Sequence, residues 1–415
     1  MSMLDIESIL SDGSHFEIGS ARQRQLIDKC LETACKYAES SDIDFGQCLA
    51  AAFDLIVSVC YYNLVAHKGW LYSPDDRETL FLYPYTNTCP RNALQNKFIY
   101  HPCHKPRSGA IGFVTFQCLG YCLTWYSQTV LSGRLEVLKA REPIDIAILD
   151  RTENICLLGE VKASPLVTFP LAVRGDIQLE EVDGETQTIQ DCREWPLAKL
   201  YNTEINLMLF NDRWKPVLLP LGRKKNAKDT AWAFEGTIGL LENDTFFDRY
   251  FWCWFDIFER YSGQQVKERS YWLANACGAP SPRPDTWPKR GDATGYKTIS
   301  DSKTSVGMDR TDDLKKATYQ VLKIGAETKF NNASSWNVKT GIISNLPAIR
   351  HYQEYLQPIR DVIWTIDTQN CGGQAGDLDP DTPLYNLYDG LISFIECNSR
   401  DRWVSQFLNF SKKKL

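Results

Sequence analysis

Asp145, Glu160 and Lys162 are the side chains whose types and spacing best suit chemistry. They sit at the outer ends of two β-rich apolar runs, Ile144 to Leu149 and Ile155 to Lys162, separated by the polar turn Asp150-Arg151-Thr152-Glu153-Asn154. Such a pattern predicts a β-hairpin. If 151–154 form its loop, Asp150 pairs with Ile155, and the same register sets Asp145 opposite Glu160. Facing carboxylates on adjacent strands stand roughly 5 Å apart at Cβ and repel. Burial adds to that cost unless the charges are neutralised, paired or bound to a metal. Lys162 follows Glu160 by two residues, so strand alternation puts both side chains on one face. Three resolutions are open at this point: a divalent cation between the acids, a proton shared by them, or a Glu160–Lys162 pair at a strand end. The first has chemical reach. Mg²⁺ prefers hard oxygen ligands and keeps several waters; it lowers the pKa of a bound water and neutralises charge developing on a phosphate. A neighbouring ammonium adds to that stabilisation. Phosphodiester hydrolysis uses all of these parts.

Elements must exist to hold such a hairpin. Phe116, Leu119, Leu123, Tyr126 and Val130 recur at steps of three and four, which predicts a helix over about 113–130. Thr311 or Asp312 is placed to cap a second helix running to about Ile324, with acids first and lysines further in. Residues 338–344 read as a strand. Asn345 then caps a helix with Pro347 in its first turn, ending near Leu356, and 359–366 read as a returning strand. Strand, helix, strand in that space is a βαβ unit, so the expected fold is α/β, a central mixed β-sheet flanked by helices. Before it, 20–37 and 44–65 predict an N-terminal helical pair, the second apolar nearly all round. The expected division is 1–110 as a helical region with loops, 111–163 and 308–368 as the core, 164–307 as a large insertion, and 369–415 as a C-terminal extension.

Pro143-x-Asp145 followed by Glu160-x-Lys162 on adjacent apolar strands resembles the PD-(D/E)xK nuclease superfamily. The flanking elements occur in the order of that superfamily's restriction-endonuclease-like core. The resemblance implies catalysis by Asp145, Glu160 and Lys162, with Mg²⁺ held by Asp145, Glu160 and the Val161 carbonyl. Many members use a further upstream acid, for which Glu136 and Asp54 are the candidates. A chain without an attached motor is most similar to a type II restriction endonuclease, which implies a homodimer cutting double-stranded DNA. On that reading the insertion reads the DNA, with Arg283, Lys289 and Arg290 as contacts, and Lys315, Lys316, Tyr319 and Gln320 facing the phosphate backbone or simply solvent. Rival readings are a repair, transposition or other defence nuclease on the same core, and a DNA-binding protein with the acids used structurally.

Composition sets outer limits. In 415 residues, Lys plus Arg number 46 and Asp plus Glu 52, a net charge of −6, so no overall positive field grips a polyanion. With 43% hydrophobic and 24% charged residues, the chain is of folded, globular type. The 14 cysteines include no Cys-x-x-Cys pair and many sit in apolar runs, which favours reduced thiols and a cytoplasmic protein. Neither a leader peptide nor a membrane span is expected. Cys89, His101, Cys103 and His104 are a possible zinc set, although loop residues with reduced thiols explain them as simply. Trp252, Trp254 and Phe255 suit either base stacking or a core. Glu327-x-Lys329, downstream of Asp309, repeats the Glu-x-Lys pattern but reads as a helix end. No Gly-rich phosphate loop is present, so ATP is not an expected partner, and five histidines do not assemble a Ser-His-Asp triad.

Overall fold

The structure is a computed structural model and describes residues 5–65, 70–72, 78–82, 108–174, 194–196, 204–211, 215–226, 228–263, 307–330, 335–365 and 378–412. Arg283, Lys289, Arg290 and the Cys89, His101, Cys103, His104 set lie outside them. The chain is mixed α/β and divides into two compact units.

The first unit draws on 1–17, 119–163 and 307–414. Its core is a seven-stranded sheet whose neighbours follow chain order: β1 (Ser14–His15), β2 (Glu136–Lys139), β3 (Ile146–Asp150), β4 (Ile155–Val161), β5 (Asn337–Ile343), β6 (Gly390–Ile392) and β7 (Cys397–Ser399). Pairing is antiparallel except for β4–β5 and β5–β6, which are parallel. Both hairpin strands are buried on both faces, as a covered sheet requires. Asp150 pairs with Ile155 and Ile146 with Gly159, the expected register. The turn is built by Asp150, whose Oδ1 accepts from the Thr152 and Glu153 amides at 3.0 and 3.2 Å, while Asn154 adopts φ 52°, a conformation Asn tolerates. Glycine at 159 is a packing demand, since a Cβ there would meet Ile146 and Ile343 at 2.9 Å.

Helix Thr311–Thr328 covers one face of the sheet. Its Leu314, Ala317 and Val321 share a core cluster with Ile342 and Leu391, and Ile324 joins Leu158 and Val338 further along. The helix therefore runs antiparallel to β5 and begins near the sheet edge where β5 ends. It starts at Thr311, with Arg310 at the cap position, so neither Thr311 nor Asp312 caps it. Glu327 and Thr328 close it and Lys329 follows as its C-cap, the helix end expected of the second Glu-x-Lys. There the buried Lys329 and Asp389 pair, while the Thr340 amide donates to Asp389 at 2.7 Å.

The βαβ expectation is corrected in its return. β5 is where a strand was expected, but Asn345 is fully buried at a bend and no helix starts there; helical structure begins at Tyr352, with His351 at its cap position. The apolar run after it supplies only the two-residue strand Ile363–Trp364, paired with Tyr385–Asn386 outside the central sheet, with Ile363 63% exposed. β6, wholly buried, is the parallel partner of β5 instead. The stretch treated as a C-terminal extension thus completes the sheet, and Trp403 donates from its indole to Asp150 at 2.9 Å.

The second unit draws on 18–118 and 164–306, so the expected N-terminal region and insertion form one body rather than two. A six-stranded antiparallel sheet takes strands from both stretches. Helices Ala21–Ser40, Phe45–Val65, Trp232–Leu241 and Phe246–Ser262 belong to it. Ser20 caps the first of these through the Gln23 amide. The second helix is apolar and long enough to cross a membrane, yet 94% of its apolar window is buried inside protein, as a core helix would be. The nine cysteines described are all free thiols.

Candidate active site

Asp145 immediately precedes β3, and Glu160 and Val161 end β4. The β3–β4 register, carried one residue past Ile146–Gly159, sets Asp145 opposite Glu160. Two backbone contacts fix this corner: the Asp145 amide donates to the Gly159 carbonyl at 3.2 Å, and the Val161 amide donates to Asp145 Oδ2 at 2.8 Å. Lys162 leaves β4 but stays bound to β5, its amide donating to the Ile343 carbonyl at 2.9 Å. Its ammonium folds back onto Glu160 Oε1 in an ion pair and lies 3.4 Å from the Val161 carbonyl. Glu160 is 7% exposed, whereas Asp145 and Lys162 are half-buried.

The electrostatics follow from that placement. Burial pushes the Glu160 carboxyl up to about 7, and the Asp145 charge beside it adds to the rise; the Lys162 ammonium pulls in the opposite direction. Of the three resolutions of the carboxylate conflict, the lysine pairing is the one this arrangement shows. Two carboxylates and the Val161 carbonyl are hard oxygen donors on one sheet edge, and the unfavourable Asp145–Glu160 proximity is what a divalent cation would relieve. Asp145, Glu160 and the Val161 carbonyl are the groups that would have to hold such an ion. Among the described residues, no group of three or more His, Cys, Asp or Glu side chains gathers at a metal-binding spacing.

Of the two upstream acids, Glu136 points its carboxylate elsewhere and Asp54 lies in the other unit. Glu136 pairs across the sheet with Leu149, toward the turn end of the hairpin, and its carboxylate is held by Arg151 at 2.7 Å. Asp54 belongs to the other unit, where its Oδ2 accepts from the Leu166 and Val167 amides and the Trp254 indole at 2.9, 2.9 and 2.8 Å. Glu136 is thus engaged by Arg151, and Asp54 by three donors on its Oδ2 alone.

Ile342 is the register partner of Glu160 and packs with the first half of helix Thr311–Thr328, which brings the beginning of that helix to the same sheet edge. Lys315, Lys316 and Tyr319 are exposed on it and Gln320 is half-buried. The Lys315 ammonium lies 5.7 Å from the centre of the Tyr355 ring. Of the aromatic set, Trp254 is core, while Trp252 is 51% exposed. Sequence reasoning passed over two buried serines that end the neighbouring parallel strands, Ser344 after β5 and Ser393 after β6, and read the buried Asn345 beside the first only as a helix cap. Their signal was a polar residue directly after an apolar run, at the edge where open α/β sheets place ligands.

No known family, curated protein or solved structure matches this chain.

Proposed function

We propose that this protein is a metal-dependent endonuclease that hydrolyses phosphodiester bonds of double-stranded DNA at specific sites, in the manner of a type II restriction enzyme. The supporting observation is the corner formed by Asp145, Glu160 and Lys162, with the lysine ammonium on the Glu160 carboxylate and the Asp145 carboxylate anchored by the Val161 amide. A Mg²⁺ ion held by Asp145, Glu160 and the Val161 carbonyl would supply charge neutralisation at the phosphate and a more acidic water. The chain's own residues do the rest. Asp145, tied to the strand by the Val161 amide, keeps one carboxylate at a fixed place. Glu160, opposite it on β4, supplies the second carboxylate and carries the Lys162 ammonium on its Oε1. Lys162, once released from Glu160, holds its positive charge where negative charge builds on the phosphate. A homodimer would place two such corners on opposite strands of a two-fold symmetric site.

The second reading, DNA binding without cleavage, draws on the Lys162–Glu160 ion pair, which satisfies both charges by itself. One experiment separates the two. Unmethylated phage DNA is incubated with the full chain and Mg²⁺ or EDTA, alongside Asp145→Ala and Lys162→Ala. Discrete fragments that require Mg²⁺ and fall by roughly 100-fold or more in either variant are expected, the loss typical of removing an acid–base or electrostatic catalytic group. Fragments without fixed ends would favour a repair, transposition or other defence nuclease. DNA that stays intact with the wild-type chain, yet shifts in a gel, would leave the binding reading.

A further inference from the structure

The second unit holds a cleft of about 730 Å³ between the hairpin of Glu204–Phe210 and Pro216–Arg223 and the helix Phe246–Ser262. Its size is that of a small-molecule site. One wall is aliphatic. Val217 registers with Leu209 and Leu219 with Leu207, so Leu209, Val217 and Leu219 share a face of the hairpin and line the cleft together. The opposite wall is a helical stripe, Asp248, Trp252 and Asp256 at intervals of four, with Arg249 beside it.

Trp252 is the unusual member. Phe251 and Phe255 each meet its ring nearly edge-on at 5.6 Å, which braces the indole, yet 51% of the residue is exposed. A braced, half-open indole is a stacking surface. The carboxylates near it are held in place as acceptors: Asp248 by the Tyr37 hydroxyl at 2.6 Å and Asp256 by Arg260 Nε at 2.7 Å. A planar ring fits between indole and aliphatic wall, N–H groups on its edge match the carboxylates, and an accompanying phosphate matches Arg249. A lipid chain would set its methylenes against the charged Asp248, Asp256 and Arg249, and a sugar would press hydroxyls against Leu209, Val217 and Leu219. We infer that this cleft binds a nucleobase, stacked on Trp252 and read at its edge by Asp248 and Asp256. The base has two chemical sources, a free nucleotide or a base standing out of a nucleic-acid strand. The inference does not depend on cleavage at Asp145.

The test uses the full chain carrying Asp145→Asn, so that binding is measured apart from hydrolysis. Calorimetric titrations with each of the four deoxynucleoside monophosphates and with a single-stranded oligonucleotide are compared before and after Trp252→Ala, Trp252→Phe and Arg249→Ala. Saturable binding is expected, weakened about tenfold or more by Trp252→Ala, the size of one lost base stack, and largely restored by Trp252→Phe. Arg249→Ala is a second exposed-site probe and weakens the phosphorylated ligand independently of the indole. Mononucleotide binding with this pattern identifies a free nucleotide as the ligand; oligonucleotide binding alone identifies a base within a strand. Absence of saturable binding to every probe, or binding unchanged by both Trp252→Ala and Arg249→Ala, overturns the proposal.

Discussion

A carboxylate buried without a matching cation must give up its charge or find donors, and the two units answer this differently. Glu160 has a lysine. Asp54, fully buried, has three donors on Oδ2 and no hydrogen-bond partner on Oδ1, and burial raises its pKa to about 8 against the pull of those donors. The sign of the resulting pH dependence is fixed. Between the usual carboxylate range and about 8, the folded chain holds a proton that the unfolded chain has released, so stability falls as pH rises through that window. Asp54→Asn keeps an acceptor for Leu166, Val167 and Trp254 and cannot ionise. In urea titrations the variant should gain on wild type from about pH 5 to about pH 8, by at most roughly 1.4 kcal/mol per pH unit. A difference that is flat with pH would mean Asp54 is charged in the folded protein. The hairpin residues were legible in the sequence because period two and a short polar turn determine them locally. The partners of Asp54 were not, since they lie more than a hundred positions away in the chain.

Helix Thr311–Thr328 and β5 were readable for the same local reason, an apolar repeat of the right period in each case. The strand that follows β5 in the sheet was not. The Val362-Ile363-Trp364 run has the better β composition, yet it ends exposed, while Gly390-Leu391-Ile392 takes the buried place. Close approach explains what composition hides. At Gly325 a Cβ would come within 2.6 Å of the Leu387 carbonyl oxygen, and at Gly341 within 2.9 Å of the Gly390 carbonyl oxygen, so helix, β5 and the segment entering β6 meet backbone to backbone. Gly325→Ala should push the helix off that segment and cost about 1–3 kcal/mol in denaturant unfolding, despite the higher helix propensity of alanine. A neutral or stabilising result would show that the contact yields without cost.

For the molecule as a whole, two units built from interleaved stretches make sequence boundaries poor guides to folded ones. Composition changes at the edges of 164–307 were readable; that this stretch shares a sheet with residues from 70–82 was not, because strand partnership is a long-range choice. A chain ended after Asn386 would lose β6, β7 and the Trp403 indole that donates to Asp150. Its first unit should lose cooperative unfolding and its near-ultraviolet circular dichroism, while a transition with the Asp54 pH dependence persists from the second. Loss of both transitions together would show that the units do not fold separately.

The order of strands in the central sheet carries a consequence for biosynthesis. Because sheet neighbours follow chain order, the Asp145–Glu160 hairpin is translated long before β5, whose Ile343 carbonyl anchors Lys162, and before β6 and β7 beyond it. Domains tend to form as the ribosome delivers them. Here β5 must emerge before the lysine has its anchor, so a nascent chain that has not reached Ile343 carries the acids without the strand that anchors Lys162. If the proposed nuclease activity holds, such an unfinished chain would lack the aligned site and with it the ability to cut.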